Sequence, residues 1–248
     1  MQRRGFVMAA GLVAAPAWAQ LPKLDDLSKQ LGKLPQGSGT SSKAPTGAGD
    51  AKTDAAGLKE ALAVGTERAV ASLGRADGYF GNAAVKILMP SSLQKVAEVA
   101  RMAGYQKQVD EFILSMNRAA EAAAPKAAGI FGDAIRAMSF DDVRAILTGG
   151  DTAATDFFRA KTSDKLYAAF KPVVSQKVDE VGATRAYKAM IGQYDAVPMV
   201  SKKSLDLDNY VTEKALAGLF TMLGQEEKSI RTNPAARSTE LLKSVFGK

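Results

Sequence analysis

From Ala55 almost to the C-terminus, apolar residues recur every three or four positions, a period that lines one face of a helix and gives a strand no consistent inside. Leu58, Leu62, Gly65, Ala69 and Leu73 share one face of a first helix that stops at Gly74. A loop with Gly78, Tyr79, Phe80 and Gly81 follows. Ser91 or Ser92 then stands where a cap belongs, before a helix through Met102 that Gly104 ends. Further helices are expected at about 105–124, 126–138, 140–148, 152–181, 183–194, 206–231 and 234–246. Pro125 breaks the first of these, and Pro172 should kink the long one or end its first half. Asn233 before Pro234 reads as a cap ahead of a fresh helix. Only Val85–Met89 and Ala196–Val200 look extended, and they are candidates for one short two-stranded β-ribbon. There is no alternating strand–helix–strand pattern and no fixed-period repeat, which disfavours a Rossmann fold, a barrel or a solenoid. The expected fold class is all-α: a single multi-helix bundle of eight to nine helices over residues 55–248. At about 195 residues, such a body buries about 70% of its unfolded-chain surface without staples.

The first 54 residues read differently. Arg3 and Arg4 precede an apolar stretch from Phe6 to Ala15, and Ala17-Trp18-Ala19 supplies a small-residue exit. That order is the order of a signal peptide over residues 1–19, cleaved after Ala19 to leave Gln20 first. Its apolar core of about ten residues is half of the roughly 20 that a membrane span needs. Arg3-Arg4-Gly5-Phe6 also resembles the core of a twin-arginine signal, although Gln2 stands where Ser or Thr is usual. Export by the Sec or the twin-arginine route would place the mature protein in the periplasm. No Cys follows the cleavage point, so a lipoprotein anchor is not expected. In residues 20–35, Leu24, Leu27, Leu31 and Leu34 lie along one helix face. Two heptads cannot make a stable free coiled coil. Either the stripe meets the body, a second copy or a membrane surface, or the segment is a mostly unfolded leader. Residues 36–54, rich in Gly, Ser, Thr and Pro, read as a flexible linker.

Two absences narrow the chemistry. The 248 residues contain no His and no Cys. Ser-His-Asp triads, imidazole bases, thiolate nucleophiles, iron–sulfur clusters and His- or Cys-ligated metals are therefore excluded. No cofactor and no metal is expected. The formal net charge of +7 becomes +5 once Arg3 and Arg4 leave with the signal peptide. No Lys/Arg block of the kind that grips nucleic acid is present, so nucleic acid is not an expected partner. A weak membrane-surface contact through Leu24, Leu27, Leu31 and Leu34 is compatible with that charge. No other stretch is apolar and long enough to span a bilayer, and a soluble product is expected.

Six segments carry a resemblance: Gly57–Leu62 (GLKEAL), Ser115–Glu121 (SMNRAAE), Ala153–Arg159 (AATDFFR), Lys161–Ser163 (KTS), Asp208–Thr212 (DNYVT) and Asn233–Arg237 (NPAAR). They are similar to segments of a bacterial domain-of-unknown-function family, number 4197, of exported helical proteins. The resemblance runs from about Gly57 to Gly247, with SMNRAAE its most specific piece. It implies an exported, mainly helical domain and brings no activity with it.

Two places set polar residues against an apolar pattern. Asn117 lies on or beside the stripe Val109, Phe112, Ile113, Met116, Ala120 and Ala123, where a buried amide costs roughly 1–3 kcal/mol unless it is bonded. Arg118 and Glu121, three apart, can pair next to it. These three form either a polar pocket for a ligand or a hydrogen-bonded clasp between helices, the commoner arrangement. Glu227 falls on the line of Leu216, Phe220, Leu223 and Ile230, with Arg231 four residues on and Arg237 available from the next helix. An inward acid can be catalytic, but more often it closes a helix end with an arginine. Thr162 also interrupts an apolar line, and its hydroxyl can bond the carbonyl four residues back. Ser92-Leu93-Gln94-Lys95 fits S-x-x-K but lacks the companion motifs of the penicillin-binding set. Asp206-Leu207-Asp208-Asn209 starts like an EF-hand, yet Val211 and Ala217 replace the required Gly and Glu, so it reads as a helix cap. No Gly-rich loop follows a strand, so nucleotide motifs are absent.

These residues point to a non-enzymatic periplasmic helical protein that binds an apolar or amphiphilic ligand, or a partner protein. Nine Met suit an adaptable surface, although in a helical protein Met is more often plain core. The alternative is a carboxylate-only hydrolase acting on cell-wall glycan. It would need Glu121 and Glu227 in one cleft, about 5 Å or about 6.5–9.5 Å apart.

Overall fold

The computed structural model describes residues 51–180, 206–233 and 235. Among them are seven α-helices: α1 (Ala51–Gly74), α2 (Gln94–Met102), α3 (Gln106–Ala123), α4 (Ala127–Arg136), α5 (Phe140–Thr148), α6 (Ala153–Glu180) and α7 (Leu207–Thr232). Short 3-10 turns at Ser91–Leu93 and Ala124–Lys126 lead into α2 and α4. No strand occurs among the described residues, so they are all-α as expected. The expected count of eight to nine helices is not supported. The stretch 183–194 and, apart from Ala235, the stretch 234–246 lie outside the described residues, as do residues 1–50 with Leu24, Leu27, Leu31 and Leu34, and the run Ala196–Val200. No helix among the described residues is long and apolar enough to cross a membrane.

Local chemistry sets the element ends. α1 begins at Ala51 rather than Ala55, because Ala and Lys are strong helix formers and Asp54 in the first turn complements the positive end of the helix dipole. The last residues of the stretch expected as linker are thus helical. Neither Ser91 nor Ser92 caps α2: Pro90 opens a 3-10 turn, and the Leu93 N–H donates to the Pro90 carbonyl at 2.8 Å instead. Gly104 ends α2 with a φ of 91°, which lets the Tyr105 N–H reach back to the Ala100 carbonyl at 2.9 Å. Ser139 and Asp142 form a capping box at the start of α5, and Asp206 caps α7 by accepting from the Asn209 N–H.

α6 and α7 form the most extensive helix pair. α3 and α4 pack on α6, while α1 packs on α7 and α4. Besides Thr155 in the first turn, the buried side chains of α6 are Ala154, Phe158, Thr162, Leu166, Phe170, Val174 and Val178, each four residues after the last. Each step of four advances about 40° around a helix of 3.6 residues per turn, so the stripe winds and successive parts of α6 face different neighbours. Pro172 sits on the exposed side and does not end the helix. Phe131, Phe158 and Phe220 interlock edge-to-face, with ring centroids at 5.0 Å and 6.4 Å from Phe131. Thr162 is buried with its hydroxyl on the Phe158 carbonyl at 2.6 Å, as its spacing predicts.

Candidate functional site

α7 carries Glu227 and Arg231 one turn apart, both turned inward. Glu227 is 7% exposed. One carboxylate oxygen accepts from the Ala154 N–H at 2.9 Å, and the other accepts from the Thr155 N–H and the Thr155 hydroxyl, each at 2.8 Å. Ala154 and Thr155 stand in the first turn of α6, where N–H groups lack helical partners and the dipole favours an anion. Arg231 donates to the first oxygen through Nε at 3.1 Å and through a terminal nitrogen at 2.9 Å. The same guanidinium donates to the Ile146 carbonyl at 2.9 Å, near the end of α5, where a cation complements the negative pole. Glu227 and Arg231 therefore bind the α5–α6 junction to α7, each at the pole that suits its charge. Arg237, the other partner considered for Glu227, lies outside the described residues.

The second polar group belongs to α3. Asn117 is fully buried. Its Oδ1 accepts from the Ile87 N–H at 2.8 Å, and its Nδ2 donates to the Ile87 carbonyl at 2.8 Å and to the Ile113 carbonyl at 2.8 Å. The side-chain amide thus does for Ile87 what a neighbouring strand would do. This corrects the expected ribbon: residues 85–89 form no strand, since Val85 ends a turn and Asn117 takes the Ile87 backbone groups a second strand would need.

Glu121, 4% exposed, accepts from the Tyr79 and Phe80 N–H groups at 3.1 Å each, and its other oxygen pairs with Arg118 at 2.6 Å. Arg118 also pairs with Asp77 at 2.8 Å. The two carboxylates hold the Arg118 guanidinium above its usual value, Glu121 contributing more. Asp77 has a φ of 62°, a left-handed conformation that Asp tolerates better than most residues. Tyr79 is fully buried, and its hydroxyl donates to the Ala215 carbonyl of α7 at 2.7 Å. Burial, with the Glu121 carboxylate adding to it, pushes this phenol far above its ordinary value. The α1–α2 loop is thereby fastened to α3 and α7 together.

The structure brings Asn117, Arg118 and Glu121 to one loop and Glu227 with Arg231 to a different helix junction. Both carboxylates have their oxygens occupied by donors from the fold itself. A pocket lined by Leu58, Leu62, Gly65, Leu223, Glu227 and Ile230 has about 20 Å³ of room, about that of one water. Drug-sized ligands need about 300–1,000 Å³. Glu227 borders this pocket and Glu121 does not. No group of three or more potential carboxylate metal ligands gathers among the described residues.

Sequence reasoning missed Tyr79, Asp77 and Thr155 as members of these groups. The Asp-Gly pair at residues 77 and 78 signals a tight turn, but nothing in it says that the turn presents two N–H groups to an acid forty residues away. Thr155 carried a clearer signal, as a hydroxyl in the first turn of an expected helix.

A family model described as "Protein of unknown function (DUF4197)" matches residues 49–247. No curated protein and no solved structure matches the chain.

Proposed function

The chain belongs to the DUF4197 family of proteins of unknown function, and from that premise we propose that it is an exported, non-enzymatic helical protein that binds a partner or an amphiphile on its surface. The observation that carries this reading is where its polar and apolar groups are spent. The inward acids and the inward amide are all committed to backbone N–H, carbonyl and arginine partners within the fold. Val99 and Met102, by contrast, stand outward one turn apart on α2, and Leu88 and Phe140 are exposed elsewhere. The space beside Glu227, about 20 Å³, has room for about one water, and the exposed apolar pair on α2 supports a surface contact. Export is supported by the basic start, short apolar core and small-residue exit of residues 1–19. N-terminal sequencing of periplasmic protein should then begin at Gln20.

Native mass spectrometry of protein purified from its own periplasm tests the reading. A retained lipid or protein, lost from Val99→Ser/Met102→Ser while the melting temperature holds, is the expected result. A bare chain that instead releases sugars from cell-wall glycan would replace this reading with the hydrolytic one.

A further inference from the structure

α2 is the most peripheral of the described helices, packing chiefly on α3 through Ala97 and Ala100. Its last residue, Met102, is 87% exposed. The other methionines among the described residues are enclosed: Met89 is 8% exposed, Met116 0%, Met138 6% and Met222 8%. Met222 is covered further by the Asn82 side-chain amide, which donates to its sulfur at 3.4 Å. A thioether is oxidised in proportion to its access to the oxidant, so one described sulfur stands apart from four. Its surroundings add a consequence. Val99, one turn back and 49% exposed, extends the same apolar ridge, and a sulfoxide on Met102 would place a strong hydrogen-bond acceptor on it.

We propose that Met102 is a reversible oxidation site, taking peroxides as its substrate class, and that oxidation there changes the α2 surface without disturbing the fold. A lone pair of the Met102 sulfur attacks one peroxide oxygen, the O–O bond breaks and an S–O bond forms. Sulfur loses two electrons. The proton carried by the attacked oxygen passes to the departing one, which leaves as water from hydrogen peroxide or as an alcohol from an organic hydroperoxide. Methionine sulfoxide reductases, one for each sulfoxide epimer, act on exposed sulfoxides and return the thioether. The buried methionines react only through local opening, which the packed core makes rare.

The test uses the full exported chain and hydrogen peroxide under native conditions, with timed digestion and mass spectrometry of the peptides that contain these five methionines. Met102 should gain one oxygen about tenfold faster or more than Met89, Met116, Met138 or Met222. The singly oxidised protein should keep its circular dichroism and melting temperature, and reductase treatment should restore the mass. Met102→Leu should remove the fast phase and leave the other four rates unchanged. Equal rates at all five sites, or a melting temperature that falls with the first oxygen added, would overturn the proposal.

Discussion

Glu227 and Arg231, paired at 2.9 Å within α7, each close the end of a different helix. Glu227 takes the first N–H groups of α6, and Arg231 takes a last-turn carbonyl of α5. Neither residue could be replaced by a better-packed apolar one without stranding backbone groups that the other helices leave unpaired.

Removing the charge of Glu227 tests that arrangement. Glu227→Gln keeps the shape but turns an amide NH2 toward donors and leaves Arg231 less compensated. Breaking a buried pair costs about 3–5 kcal/mol, against about 0–1 for an exposed one. Urea unfolding should show a loss of about 3 kcal/mol for Glu227→Gln and less than about 0.5 for Glu226→Gln, its neighbour on a more open face. Equal, small losses would mean that Glu227 does not hold the junction.

Asn117 should matter for a different reason, since it carries no charge. Asn117→Leu keeps the branched shape and heavy-atom count but strands the Ile87 N–H and carbonyl inside the protein. Each stranded group costs about 1–3 kcal/mol, so for the two a loss of about 2–6 kcal/mol is expected. Hydrogen exchange localises it: the Ile87 amide should lose protection more than amides of α6 do. If Ile87 stays as protected in the variant as in the wild type, the amide–backbone pairing is not what holds this segment.

How far the sequence spoke depended on the range of the interaction. Apolar spacing alone placed α5 at 140–148 and α7 within one residue at each end, because periodicity and caps are local. It also flagged Asn117 and Glu227, since a polar residue on an apolar stripe must be bonded. It named the near partners too, Arg231 for Glu227 and Glu121 for Arg118, which the structure pairs; what it could not name were the distant ones. Ile87 lies 30 residues from Asn117, and Thr155 lies 72 residues from Glu227. Those pairings follow from how helices cross, and a stripe that winds as that of α6 does hides the crossings from any single-helix reading. The ribbon expectation failed for the same reason: Val85–Met89 has the right composition for a strand, but its bonding partner is a side chain on a helix.

Two glycines should respond in opposite ways to an added methyl. At Gly65 a Cβ would lie 3.5 Å from Ile230 Cδ1, ordinary contact, beside the small pocket it would help fill. Gly65→Ala should stabilise by about 0.5–1 kcal/mol through helix propensity and chain entropy. At Gly218 a Cβ would come within 2.7 Å of Tyr79 Cε1 and 3.2 Å of Val85 Cβ. Gly218→Ala gains the same propensity but must displace a fully buried ring, at about 1–3 kcal/mol or more. Thermal melts of the two variants should therefore shift in opposite directions. A rise for both would show that the Tyr79 ring can move aside freely.

Tyr79 gives the pH dependence. Its phenol is raised far above the ordinary value of about 10 by burial, assisted by the Glu121 carboxylate. The folded state therefore keeps this proton at pH values where the unfolded chain has released it. Stability from this group is complete below about pH 10 and falls above it, because the native state is then the one that binds more protons. The slope approaches about 1.4 kcal/mol per pH unit. Tyr79→Phe removes the titration along with the hydrogen bond to Ala215. At neutral pH the variant should be weaker by about 1 kcal/mol, the worth of that bond. Between about pH 9 and 11 it should lose less stability than the wild type, so the two curves of urea midpoint against pH converge. Parallel curves would mean that the Tyr79 hydroxyl ionises in the folded protein as readily as in the unfolded one, and that its burial against α7 is not maintained in solution.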